Sequence, residues 1–522
     1  ENRPFFTEGV EMFNKGRIFY SRRVGQSYGG IDEDDFGPNE ELRSMPTTAN
    51  LINASKLSGR TGSGTGIGFF NAMTKATYAT IVDNETGAER QQMVDPFTNF
   101  NVMVIDQNLK NNSYVGLINT NVMREGGYRD ANVTLGDFRF RDKTNTWSLS
   151  GTGGLSQIFT NEEGQTINTK GFRSNLYFGK VSGKFQFNTG MNVESDKWYI
   201  NDLGFQRNNN ELTVRGNVSY NIFKPFSVFN NMSVRTGFEH EQLYKPRAFT
   251  SARLFLRANA QFKNFYNIGF GFNLRPVEMN DYWEPRVEGR YVAYAPNYNF
   301  FTSLGTDRRK PFRVGGYGGF WKRPADDARN YFGGIEPTYR ISNKLNLSYD
   351  LNLDLNRNAK GYVTKEYDDN DNLQNIVFGN RDQNTFTNTI GISYTFNRNM
   401  GITFRLRHYW SWVEYDQFYN LADNGRLDPS EYDGFAPNGA STHNTSFNAL
   451  NIDMVYTWQI APGSFVTAVW KDAIQGYVEG GFVQRDFMDN FSGVMRESHY
   501  NTISLKVIYF VDRANFRKKS VN

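Results

Sequence analysis

The sequence predicts an all-β chain, a transmembrane antiparallel β-barrel of about 22 strands (20–24) with short periplasmic turns and long extracellular loops. Three observations predict it. The stretch 345–355, LNLSYDLNLDL, alternates strictly. Leu345, Leu347, Tyr349, Leu351, Leu353 and Leu355 fall on one side; Asn346, Ser348, Asp350, Asn352 and Asp354 fall on the other. Period two means a strand with one dry face and one wet face. Next, mean hydropathy is −0.62, yet aromatics reach 16%, with 45 Phe and 29 Tyr. Disordered chains are aromatic-poor, whereas a barrel wets half of each strand and places rings at both interfaces. Last, the connections between candidate strands alternate between short and long, as in barrels whose turns lie at one end and loops at the other.

Taken in order, residues 1–16 show no alternation and read as a periplasmic or luminal lead-in. Residues 17–512 read as the barrel and 513–522 as a periplasmic tail. The first candidate strands are 17–25, 51–61 and 66–81. Ten more follow near 97–109, 114–125, 130–141, 145–157, 168–180, 184–195, 210–221, 227–240, 250–262 and 264–276. The last nine lie near 297–306, 311–321, 329–341, 345–357, 384–396, 400–414, 446–458, 464–471 and 501–511. Long connections are expected at 26–49, 82–96, 158–167, 196–209, 277–296, 358–383, 415–445 and 472–500. An even strand count puts both termini on the periplasmic side.

Composition excludes several classes. No run of 18 apolar residues exists, so no membrane helix is expected. A net charge of +4 from 58 basic and 54 acidic residues does not suggest nucleic acid. Cysteine is absent, which removes disulfides and thiolate sites. No signal peptide opens the sequence, so on the barrel reading the signal is cleaved or lies upstream.

Several motifs look like the C-terminal barrel domain of the DUF5916 proteins of Bacteroidota. They are RPFFTEGVEMF (3–13), IFYSRRVG (18–25), KLSGRTGSGTGIGFFNAMT (56–74), GTDRRKPF (305–312), VFGNRDQNT (377–385) and RLRHYWSWVEYD (405–416). The resemblance spans nearly the whole chain and implies a barrel in the outer membrane of a Gram-negative bacterium. It also implies an upstream domain resembling a family 9 carbohydrate-binding module; the chain starts where the barrel part would start.

No motif carries catalysis, and no enzyme activity is expected. His240, His408, His443 and His499 have no metal-ligand spacing, and no GxSxG elbow is present. The acidic runs Asp32–Asp35 and Glu366–Asn372 lack EF-hand spacing and read as solvated turns. No metal or cofactor is expected. The polar set that alternation sends into the lumen is Arg253, Arg257, Asp350, Asp354, Arg405, Arg407, Asp453 and Lys506. These residues select a solute or pair with one another and with a plug. Loop aromatics Tyr282, Trp283, Tyr291 and Tyr294 stack on sugars or pack a loop cap. A lumen of 22 strands is wide enough to need a plug. The expected function is therefore a gated or plugged outer-membrane channel for polar solutes such as carbohydrates. The alternative is an accessory subunit of a larger outer-membrane complex for secretion or protein assembly. Expected partners are outer-membrane lipid and lipopolysaccharide, a polar or glycan solute, and other envelope proteins.

Overall fold

The structure, a computed structural model, describes residues 10–26, 30–31, 35–162 and 164–510. The lead-in before residue 10, Asp32, Glu33, Asp34 and the tail 513–522 lie outside the described residues. Among the described residues the fold is all-β, with an antiparallel sheet of 22 strands, one of them the three-residue Leu427–Pro429. No described helix is long and apolar enough to cross a membrane. The chain forms two compact units, residues 1–219 with 237–250 and residues 220–236 with 251–522.

In the first unit, eight strands pair each with the next: Leu51–Arg60, Thr65–Thr74, Thr98–Asn108, Tyr114–Arg124, Asp130–Arg141, Trp147–Glu162, Gln165–Lys180 and Phe185–Glu194. Their turns follow local chemistry. Asn111 and Asn112 both take positive φ, 59° and 55°, the geometry a tight hairpin requires and asparagine tolerates. Three expectations fail here. Residues 17–25 form no strand; they contain a single 3-10 turn, Ser21–Arg23. Residues 66–81 are not one strand but two, Thr65–Thr74 and Thr77–Asp83. The connection 82–96 is not irregular, since Glu89–Asp95 joins Glu40–Ser44 and Thr77–Asp83 in a small separate sheet.

That small sheet is held by Arg90, whose Nε and Nη2 donate to the two Glu40 carboxylate oxygens at 2.7 Å each. Those bonds hold the Glu40 carboxyl at about 2, below its ordinary 4.5. With the folded value depressed, the pairing favours the small sheet above the ordinary value and fades as pH falls toward 2. Hydrogen exchange at Glu41 and Val82, paired across this sheet, is expected, after correction for intrinsic rates, to accelerate progressively as pH falls from about 4.5 toward 2.

In the second unit, from Ser251, the chain continues as an antiparallel meander. Its strands are Phe249–Phe262, Asn267–Arg275, Asn297–Gly305, Phe312–Arg323, Ala328–Arg340, Leu345–Tyr367, Leu373–Asn397, Met400–Leu421, Thr445–Ala461, Ser464–Glu479 and His499–Ile508. The alternating stretch 345–355 is a strand, but a longer one than its alternation announces. Register shifts at Asn356/Ala359 and Tyr362/Thr364 let it run to Tyr367. The expected loop 358–383 is therefore mostly sheet, with a turn at 368–372 closed by Asp368 N–H donating to Asn372 O. The expected loop 472–500 also shrinks: strand runs to Glu479, and Phe487–Val494 is a helix capped by the Asp486 carboxylate. Short connections thus occur at both ends of the strands, and the expected strict alternation of short and long does not hold.

Candidate functional site

Residues 10–26 of the first unit lie against one face of its sheet as a strap. The path follows from its contacts. Met12 and Phe13 sit over Gly68, where an added Cβ would meet the Phe13 ring at 3.0 Å. Lys15 reaches Asp137 at 3.3 Å and lies over the Tyr114 ring. Arg173 donates to Gly16 O. Tyr20 N–H donates to Leu203 O at 2.7 Å, and Gln26 bridges to Thr48. Tyr114 adjoins the 109–113 turn, whereas Gly25 lies against Thr74 at the opposite strand end. The strap therefore runs the length of the strands, and Leu51–Arg60 starts from the end where the strap arrives. The expectation of a first strand at 17–25 is corrected in this way: the segment traverses the sheet on its face, not in its ladder.

The strap is glued by an apolar core. Phe13, Ile18 and Val24 are buried with Phe70, Val102, Val104, Ile118, Val122, Val133, Leu135 and Trp198. Each such side chain contributes about 1.5–3 kcal/mol on burial. The opposite face of the same strands is also apolar but uncovered. Ile67, Ile105 and Leu117 form one cross-strand row and are 52%, 51% and 50% exposed. Toward the strap's far end this face turns polar, with the row Asn71, Asn101, Asn121, Asn132, Gln157 and Lys170. Toward the 181–184 turn it carries the ring cluster Trp147, Phe178 and Phe187.

At the arrival end, the strap, the sheet and the connection 195–210 line a half-open cavity of about 450 Å³. Arg23, Arg124 and Arg129 face it together with Asp95 and Asp202. Asp202 Oδ1 accepts from Arg124 at 2.9 Å and Arg129 at 2.8 Å, and the Asp202 side chain is 3% exposed. Arg129 also stacks over Tyr199, 4.9 Å from the ring centre. None of these residues was singled out from the sequence. The available signal was the run NVMVID (101–106), apolar at Val102, Met103, Val104 and Ile105 and so on both faces, which requires cover on both.

In the second unit, the register places Arg253, Arg257, Asp350, Asp354, Arg405, Arg407, Asp453 and Lys506 on one face of the meander. It brings together Arg405 and Asp453 as direct cross-strand partners, with Lys471 3.5 Å beyond Asp453. Asp354 accepts from Asn330 at 2.8 Å, and Arg257 donates to Asn273 at 2.8 Å while stacking on Phe301. Lys506 pairs across to Thr467, apart from these groups. The leucine face lies opposite. There the helix Phe487–Val494 covers His408 and Leu450, with Asn490 accepting from Asn448 at 2.6 Å.

The loop aromatics divide. Tyr294 is packed against Val292, Ile376 and Phe378, beneath the Arg323 guanidinium, with its hydroxyl donating to Lys360 O at 3.3 Å. That burial pushes its pKa up. Tyr291 rests on Tyr282 and donates to Asn424 O, tying two loops together. Trp283 is exposed. Among the described residues no group of three or more His, Asp or Glu side chains could hold a metal.

The chain is an all-β meander whose first unit has one greasy, uncovered sheet face and one face covered by its own N-terminal strap. The profile of the DUF5916 family, described as a domain of unknown function, matches residues 1–520, and the chain belongs to that family. No curated protein matches it. Among solved structures, a protein titled "Copper transporter OprC" is similar at 8% identity, covering 82% of this chain and 74% of that one with a TM-score of 0.32.

Proposed function

We propose that the sheet closes into an outer-membrane barrel that conducts polar solutes such as carbohydrates, with the strap as part of its plug. The observation that carries this reading is the uncovered apolar face of the first unit, ordered as a band. Half-exposed Ile67, Ile105 and Leu117 lie between a ring cluster at the turn end and an amide row at the other. Contiguous exposed apolar surface of this kind marks a lipid or partner contact. Rings at the turn-end border of the apolar band suit the interface zone of a lipid bilayer. The charged face of the second unit, with Arg405 beside Asp453, suits a water-filled lining.

The test is reconstitution of the full chain in planar bilayers and in liposomes loaded with sugars. Discrete conductance steps and sugar efflux are expected, with slower gel migration after boiling, as for closed barrels. Silence in both assays, together with a stable envelope protein copurifying in detergent, would replace transport by an accessory role in a complex.

A further inference from the structure

We infer that the cavity beside the strap binds a small hydroxylated carboxylate. The inference rests on the reading of the chain as a conductor of polar solutes and names a solute class for it. Among the described residues, three guanidiniums face this cavity against two carboxylates. Asp202 already holds Arg124 and Arg129. Arg23 is different: its Nε donates to Gly204 O and its Nη1 to Gln26 Oε1, both at 3.2 Å. Both acceptors are neutral, so among the described residues the lining carries one more cation than anions, and the strap's guanidinium has neutral acceptors. A guanidinium takes a carboxylate in a planar fork, and more strongly than a neutral oxygen.

The rest of the wall fits the rest of such a molecule. Asn201 offers its amide NH2 (its Oδ1 accepts from Gln206 N–H) and Thr98 the lone pairs of a hydroxyl that donates to Pro96 O, and Tyr199 offers a ring edge for a ligand's carbon face. At about 450 Å³ the space lies in the range of small-molecule sites. Because Arg23 belongs to the strap, the site is complete only with the strap docked, and a bound anion holds the strap in place.

The experiment is calorimetric titration of the full chain in detergent, with D-galacturonate as the probe and D-galactose as its uncharged counterpart. Galacturonate is expected to bind at least tenfold more tightly than galactose. Arg23→Gln keeps the Arg124–Asp202–Arg129 cluster intact and is expected to lose at least tenfold for galacturonate alone. Equal binding of the two sugars, no binding of either, or unchanged affinity in Arg23→Gln overturns the assignment. The bilayer assay is read separately. Conductance without galacturonate binding removes this site and leaves transport standing; binding without conductance does the reverse.

Discussion

Phe13→Ala is expected to release the strap. Phe13 is fully buried, its ring seated over Gly68 and 6.1 Å from that of Phe19, which in turn rests on Phe70 at 5.2 Å. Removing a buried phenyl ring costs about 3–5 kcal/mol when the surroundings cannot collapse, and a pleated sheet floor cannot. The strap is a peripheral segment, so the loss falls on local undocking and not on the ladder beneath it. At about 1.4 kcal/mol per factor of ten, the undocked population rises a hundredfold or more. Trypsin reads this directly, because Lys15, Arg17, Arg22 and Arg23 lie within the strap. Cleavage there in the detergent-solubilised protein should accelerate by that factor, and the conducting fraction in bilayers should rise. Cleavage at the wild-type rate would show that the segment is held by something other than this core.

The same strap explains what the sequence made legible and what it concealed. Alternation is a two-body signal: it reports a strand with one wet and one dry face. It found 345–355 and 446–458 because their leucine side and their Asp-bearing side stay distinct along the strand. It also placed Arg253, Arg257, Asp350, Asp354, Arg405, Arg407, Asp453 and Lys506 on a common face, since face parity follows from counting residues. It failed at 17–25, where Ile18, Tyr20 and Val24 alternate well enough to suggest a ladder strand. There the apolar positions serve a core on the face of other strands. A chain lying across a sheet and a chain lying within it bury apolar residues with overlapping periods, and only the partners tell them apart. The cavity was hidden for a related reason. Arg23, Arg124, Arg129 and Asp202 come from the strap, a strand end, a turn and a connection, 179 residues apart at the extremes. No spacing rule joins them. Loop length was misjudged at 358–383 because Asn, Asp and Gly signal turns, whereas bulges such as that at Asn358 (φ 53°) let a strand continue through them.

Asp202→Ala is expected to have the second large effect, at the arrival end of the strap. The carboxylate is the shared partner of two guanidiniums, and Arg124 is as buried as it is, 4% against 3% exposed. Taking one partner out of a buried ion cluster leaves charge in a poor solvent and costs about 3–5 kcal/mol. Here the penalty is compounded, because Arg124 and Arg129 repel each other once the anion between them is gone. Arg124 Nη1 donates to Arg129 O at 2.5 Å, so the two cannot separate without moving the turn that links them. The damage should spread along the connection that carries Asp202, which holds the strap through Tyr20 N–H to Leu203 O and Phe205 N–H to Arg17 O. Hydrogen exchange at Tyr20 and Phe205 should therefore accelerate by a hundredfold or more, while Ile118 and Val133 in the ladder stay protected. Removing the charges together gives the discriminating result. Replacing buried ion clusters by apolar residues is often neutral, so Arg124→Leu with Arg129→Leu in the Asp202→Leu background should recover much of the protection that Asp202→Ala loses. If the triple variant is no better than the single one, desolvated charge is not what makes Asp202 matter, and the carboxylate acts through geometry alone.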